Sequence, residues 1–308
     1  MGTPDFAVES LTYLFNEGLT IKAVVTVADK PAGRGQKLQP SPVKKFALEH
    51  NIRVLQPLNL SDPAFIEDLK QLQADLFVVV AFRKLPKVVW QMPPLGCFNL
   101  HASLLPQYRG AAPINHAVMN GESVTGVTTF FIDEKIDTGE IIRQESIEIL
   151  PDETAGEVHD KLMVIGAKLV VETVNSIFRN DYTTKIQPIG QQETIKTAPK
   201  IFRDNCKINW EQSSENVHNH IRGLSPFPGA FSLLSMSDSE KEVKVLKSNK
   251  TGLKSDLRPG QIVVEKNRLS VMCKDELIEL VTIQLPGKKA MSVEDFLRGN
   301  RAELYQFV

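Results

Sequence analysis

A chain of 308 residues, 42% hydrophobic and 24% charged with a formal net charge of −1, has room for two ordinary globular domains and excludes a disordered or fibrous protein. Cys97, Cys206 and Cys273 lie far apart without metal-ligand spacing, which excludes a disulfide framework and implies a reducing cytoplasm with no bound metal. No run approaches the roughly 20 apolar residues that span a bilayer, and the opening MGTPDFAVES lacks the basic-then-apolar pattern of an export signal.

Taken in chain order, residues 6–17 carry apolar side chains at helical spacing and end at Gly18, a good helix stop. The β-branched run 23–27 reads as a strand. LFVVVA at 76–81 is apolar without alternation and reads as a strand covered on both faces. CFNLHA at 97–102 and GVTTFFI at 126–132 continue the pattern, and 155–179 is a long helix with Leu162, Ile165, Leu169, Val170, Val174 and Ile177 as its apolar stripe. Alternating units of this kind predict an α/β domain with a mainly parallel, doubly wound, Rossmann-like sheet over residues 1–182. The polar stretch 183–200 reads as a linker crossing the surface. Beyond it, short alternating runs at 243–246, 260–264, 269–272 and 278–283, separated by turn residues, predict a small antiparallel OB-like barrel over 201–308.

The charge is unevenly spread. Residues 200–308 hold 17 Lys and Arg against 14 Asp and Glu, a balance of +3, whereas residues 1–199 are 19 − 23 = −4. This permits an RNA partner without demanding one, because a solvated mixed surface gives the same excess.

Asn99 and His101 alternate with Phe98 and Leu100, so on a strand the amide and the imidazole share one face. The strand runs into the Pro- and Gly-containing loop SLLPQYRG at 103–110, where doubly wound folds bind ligands. These residues alone leave a packing role and a catalytic role both open. Downstream, FFIDEKIDTGEII at 130–142 places Asp133 and Asp137 around a turn. Asp133 reads as a turn cap and Asp137 as the carboxylate able to reach and charge the imidazole. His218 and His220 have a metal-like spacing but lack further ligands, and His116 falls in a predicted helix where packing explains it.

An Asn-x-His pair on a strand, an S-L-L-P-x-x-x-G loop and a downstream Asp before T-G together resemble the folate-dependent formyltransferase family. The resemblance implies formyl transfer from 10-formyltetrahydrofolate, with Asn99, His101 and Asp137 as catalytic residues. It places folate against Phe82, Leu85, Pro86, Ser103, Leu104, Leu105 and Pro106, and leaves the role of Arg83 open. It identifies the chemistry and not the acceptor. MGTPDFA at the start, DKPAGRGQKLQPSPVK at 29–44, RGAAPINHAVMNGE at 109–122, LSPFPGA and LPGKKAMS resemble the branch of the family that formylates initiator methionyl-tRNA, nearly end to end. That resemblance implies a basic loop against the tRNA, with Lys30, Arg34 and Lys37. The C-terminal barrel would add Lys200, Arg203, Lys207, Lys288 and Lys289, and it also carries Arg222, Arg298 and Arg301. A monomer is expected. The alternative is a folate formyltransferase acting on a small amine such as an amino sugar nucleotide, which needs neither the loop nor the barrel.

Members of the family place a short apolar strand directly before the segment matching MGTPDFA. The sequence starts at Met1 of that segment, so the central first strand is expected to be missing, with a misplaced start codon as the economical explanation and low stability as the consequence.

Overall fold

The computed structural model describes residues 1–32, 37–188, 195–236, 239–299 and 305–307. By contact the chain divides into two compact units. One comprises residues 1–110, 126–147 and 160–196; the other comprises 111–125, 148–159 and 197–308. The second unit is therefore more than a C-terminal block, because it draws in two short stretches from the first half of the chain.

In the first unit, strands Phe77–Val80 and Cys97–His101 pair in parallel, with Val79 opposite Asn99. Val124–Phe131 then lies antiparallel to Cys97–His101, with Asn99 opposite Phe130 and His101 opposite Thr128, and Ile141–Glu148 forms the outer edge. A further parallel pair joins Val24–Val25 to Val54–Leu55. The sheet is thus parallel through its early strands, as predicted, and turns antiparallel at Val124–Phe131, which follows Cys97–His101 after a long connection that includes helix Pro113–Met119. Helices cover both faces. Phe65 and Leu69 of helix Pro63–Gln71 and Val89 of helix Lys87–Trp90 pack with Phe77 and Val79. On the other face, a Cβ at Gly166 of helix Ala155–Phe178 would lie 2.9 Å from Leu100, so the missing side chain sets the helix close to the sheet.

At the start of the chain, Gly2 donates to the Val25 carbonyl at 3.0 Å, and Val80 donates to the Met1 carbonyl at 2.9 Å. Gly2 therefore occupies the position between the Val24–Val25 and Phe77–Val80 strands. Beside it lies a cavity of about 520 Å³ lined by Met1, Leu11, Leu14, Val25, Val78 and Val174 among others. The Met1 ammonium donates to the Val78 carbonyl at 2.7 Å, and burial pushes its pKa down to about 6.

The second unit is built on antiparallel strands in the spatial order Ile262–Glu265, Arg268–Met272, Leu277–Gln284, Ser239–Lys250, Ala230–Met236 and Gln306–Phe307. An antiparallel bridge between Gln261 and Gln306 brings the last strand beside the residue before the first. Gly260 permits this approach. Its φ is +86°, and a Cβ there would stand 2.3 Å from the Phe307 carbonyl oxygen. Trp210, Ile221, Leu224, Val245, Ile278 and Phe296 fill the interior. Helix Ser214–Leu224, capped by the Ser213 side chain accepting from Asn216 N, supplies the apolar stripe that covers it.

Candidate active site

Phe98 and Leu100 are 0% and 3% exposed and anchor the Cys97–His101 strand in the core, which turns Asn99 and His101 to the opposite face. Asn99 is half-buried, and its side-chain amide has no hydrogen-bond partner among the described residues. His101 is buried. Its Nε2 lies 2.9 Å from the Tyr108 carbonyl, and because a carbonyl only accepts, Nε2 is the donor. In the neutral ring the lone pair then sits on Nδ1, which stands 3.8 Å from Asp137 Oδ2.

The loop that delivers the Tyr108 carbonyl is held by the buried Thr128 and Ser103 and, from the edge strand, by Gln144. Thr128 Oγ1 donates to the Ser103 carbonyl at 2.6 Å and accepts from Leu105 N at 3.1 Å. Gln144 Nε2 donates to the Leu105 carbonyl at 2.9 Å and to Thr128 Oγ1 at 3.0 Å. The Ser103 hydroxyl donates to the Gln107 carbonyl at 2.6 Å. Tyr108 has φ +60°, a left-handed conformation costly for a bulky residue, and this conformation carries the carbonyl that meets His101.

Asp137 also has φ +56°, which a short polar side chain tolerates. Its Oδ2 accepts from Gly110 N at 3.0 Å. Asp133 makes the turn, accepting from Lys135 N at 3.0 Å and from Thr138 Oγ1 at 2.8 Å, which is the capping role expected of it. The turn requires glycine at 139, where a Cβ would lie 1.7 Å from the Phe131 carbonyl oxygen. Beneath it sits Gln187, 1% exposed, which donates to the carbonyls of Asp137 at 3.1 Å and Gly139 at 2.8 Å. Its Oε1 accepts from Arg109 Nε at 3.2 Å and Nη2 at 2.6 Å. Desolvation lowers the pKa of the Arg109 guanidinium, partly offset by the nearby charges of Asp137 and Asp133.

His101 and Asp137 are brought together, and Asn99 lies two residues before His101 on the same strand. Neither Arg109 nor Gln187 was singled out by sequence. Arg109 lies within the motif loop 103–110 and was visible as its one charge, whereas Gln187 stood in a polar stretch with nothing to mark it as buried.

The residues expected to hold folate divide by exposure. Leu85 is buried with Val89 and Phe77, Pro86 opens the short helix Lys87–Trp90, and Phe82 packs half-buried against that cluster. Ser103 and Leu105 are buried in the loop, leaving Leu104 and Pro106 half-buried. Arg83 donates to the Leu58 carbonyl at 2.8 Å and to the Pro57 carbonyl, and lies over the Phe82 ring.

In the stretch read as a basic loop, Lys30–Ala32 and Lys37–Gln39 form an antiparallel hairpin. Lys30 is exposed, Arg34 lies outside the described residues, and for Lys37 only the backbone is described. Lys44 is instead paired with Asp29 at 2.7 Å, and this pairing together with the Gln56 amide lowers the Asp29 pKa. In the second unit Lys200, Lys207, Lys288 and Lys289 are exposed. Arg203 pairs with Glu242 and stacks over Phe231. Arg222 is buried, donating to Asn219 Oδ1 at 2.7 Å and the Glu153 carbonyl at 2.9 Å, so it is a structural cation rather than part of a basic surface. Arg301 lies outside the described residues. His218 is engaged by Ser248 and Asp152, and His116 by the Pro199 carbonyl, consistent with packing roles.

A family model described as formyl transferase matches residues 1–174, and one described as formyl transferase, C-terminal domain, matches residues 200–301. The chain belongs to the formyl transferase family. A methionyl-tRNA formyltransferase of Bacteroides fragilis is 50% identical over 306 residues, covering 97% of this chain and 93% of its own. One from Azobacteroides pseudotrichonymphae is 52% identical over 310 residues, covering 97% of this chain and 94% of its own. Among solved structures, the N-formyltransferase from Helicobacter canadensis in complex with folinic acid and dTDP-3-aminofucose shares the fold. Its TM-score is 0.66 at 23% identity, over 91% of this chain and 96% of that one.

Proposed function

We propose that this protein transfers the formyl group of 10-formyltetrahydrofolate to the α-amino group of initiator methionyl-tRNA. The observation that carries the reading is identity near one half with methionyl-tRNA formyltransferases along 97% of the chain, both units included. A small-amine formyltransferase shares the fold alone at 23% identity.

In the reaction the amine nitrogen attacks the formyl carbon, a tetrahedral oxyanion forms, and the bond from carbon to N10 of the folate breaks. One proton leaves the amine and one reaches N10. The Asn99 amide, without a hydrogen-bond partner among the described residues, is the donor suited to the oxyanion, since it is free to turn toward it. His101 takes the amine proton at Nδ1, with Nε2 fixed on the Tyr108 carbonyl, and, now cationic, becomes a second donor beside the oxyanion before returning the proton to N10. Asp137 faces that nitrogen and stabilises the charge that develops there. The half-buried Phe82, Leu104 and Pro106 are the apolar groups best exposed to meet folate, while Leu85, Pro86, Ser103 and Leu105 shape the wall behind them.

In this reading residues 1–182 carry catalysis, 183–200 connect, and 201–308 bind tRNA. Lys30, Lys200, Lys207, Lys288 and Lys289 are exposed cations for its phosphates, with Arg203, Arg34 and Lys37 assigned to the same role. The deciding experiment supplies 10-formyltetrahydrofolate with charged initiator tRNA and, separately, with amino sugar nucleotides. Preferential formylation of the tRNA is expected, and a preference for the small amines overturns the reading.

A further inference from the structure

The Gln187 amide is saturated. Both N–H groups are given to the carbonyls of Asp137 and Gly139, and Oε1 receives two donors from Arg109. Its orientation follows from the partners, because two carbonyls require the NH2 and a guanidinium requires the oxygen. The chain presents it there through the bridge between Lys185 and Ile141, where Lys185 donates to Ile141 at 2.8 Å and Ile141 to Lys185 at 2.9 Å.

Two elements fix the Asp137 carboxylate: the left-handed turn that bears it, and the Gly110 N–H that holds Oδ2. Gln187 grips the backbone of the first and the side chain of Arg109, the residue preceding the second. We propose that Gln187 is a positioning residue that locks Asp137 in place opposite His101 by tying the Asp137–Gly139 turn to Arg109. The inference rests on the catalytic reading of His101 and Asp137. Asparagine is a methylene shorter and does not span the gap, and an apolar residue would leave two buried carbonyls and a guanidinium without partners.

The test uses the full chain. If the wild type transfers no formyl group, the functional reading fails and not this one. With an active wild type, Gln187→Leu lowers kcat about tenfold while KM for 10-formyltetrahydrofolate stays within about twofold, because a displaced catalytic group acts on turnover. In an Asp137→Asn background the same substitution costs less than about twofold, since residues acting as one unit are not additive. Gln187→Glu preserves shape and the Arg109 contact but has no amide donor. Its activity relative to wild type rises as the pH is lowered and the carboxyl becomes an O–H donor to the carbonyls. Wild-type kcat in Gln187→Glu at neutral pH overturns the proposal even if Gln187→Leu fails to fold. A tenfold loss that persists in the Asp137→Asn background overturns it as well.

Discussion

His101 Nδ1 stands 3.8 Å from Asp137 Oδ2, too far for a hydrogen bond in the resting site yet close enough for charge to be felt. The carboxylate oxygen is instead held by Gly110 N, so Asp137 waits beside the nitrogen that receives the proton in the proposed mechanism. Asp137→Asn preserves shape and removes the charge. We expect kcat to fall about a hundredfold, within the range for disabling acid–base transfer, with the melting temperature little changed. A kcat within threefold of wild type in steady-state assays contradicts the proposed role.

Asn99, two residues before His101 on the same strand, bears an amide with no hydrogen-bond partner among the described residues. Asn99→Ala removes one oxyanion donor, worth about 3 kcal/mol of barrier, and turnover should drop about a hundredfold or more. tRNA affinity should stay within error when measured by filter binding. Wild-type turnover in this variant rules out the assignment.

In a chain whose amino group is that of Met1, the burial of this ammonium makes stability depend on pH. The ammonium pKa is lowered to about 6 from its ordinary 8.0, so between those values the unfolded chain holds the proton and the folded one releases it. Stability therefore rises with pH from 6 to 8, by about 2 kcal/mol, with the bond to Val78 working against the shift. Adding five or six β-branched apolar residues ahead of Met1 replaces the ammonium by an amide and fills apolar space. The melting temperature should rise by about 5 °C or more, and its dependence on pH over this range should disappear. Melts of both chains at pH 6 and pH 8 test this, and an extension that leaves stability unchanged refutes it.

Burial separates the cations of the second unit into two kinds. Replacing exposed Lys200 or Lys207 by alanine should lower the slope of log affinity for tRNA against log salt by about 0.7–0.9 each, with no change in stability. Replacing buried Arg222 should cost about 3 kcal/mol of stability, because Asn219 and the Glu153 carbonyl lose a charged donor, while the salt slope of the folded fraction stays the same. Salt titrations combined with urea melts distinguish these outcomes. The assignment fails if Arg222 changes the slope and Lys207 does not.

Gly139 offers the sharpest steric test. A Cβ 1.7 Å from the Phe131 carbonyl oxygen cannot be accommodated without moving the turn, so Gly139→Ala should lose activity more than it loses fold. Near-wild-type activity in a folded Gly139→Ala protein contradicts the rigidity of this turn.

Periodicity decided much of this protein by itself. The alternation of Phe98 and Leu100 with Asn99 and His101 fixes which side chains share a face, because the pleat repeats every two residues whatever surrounds it. The apolar stripe of 155–179 likewise gives helix Ala155–Phe178, and the turn chemistry of Asp133 is local enough to read directly. The tertiary structure alone decided the relationships across long sequence separations. Val124–Phe131 runs antiparallel because of its neighbours, and Lys44 and Arg222 meet partners that no local pattern names. Gln187 meets Arg109 across 78 positions and Asp137 across 50, in a stretch whose polar composition reads as a surface linker. A polar side chain such as Gln187 is buried at low cost when the fold brings donors and acceptors to satisfy its hydrogen-bonding groups, and that condition is written in three dimensions.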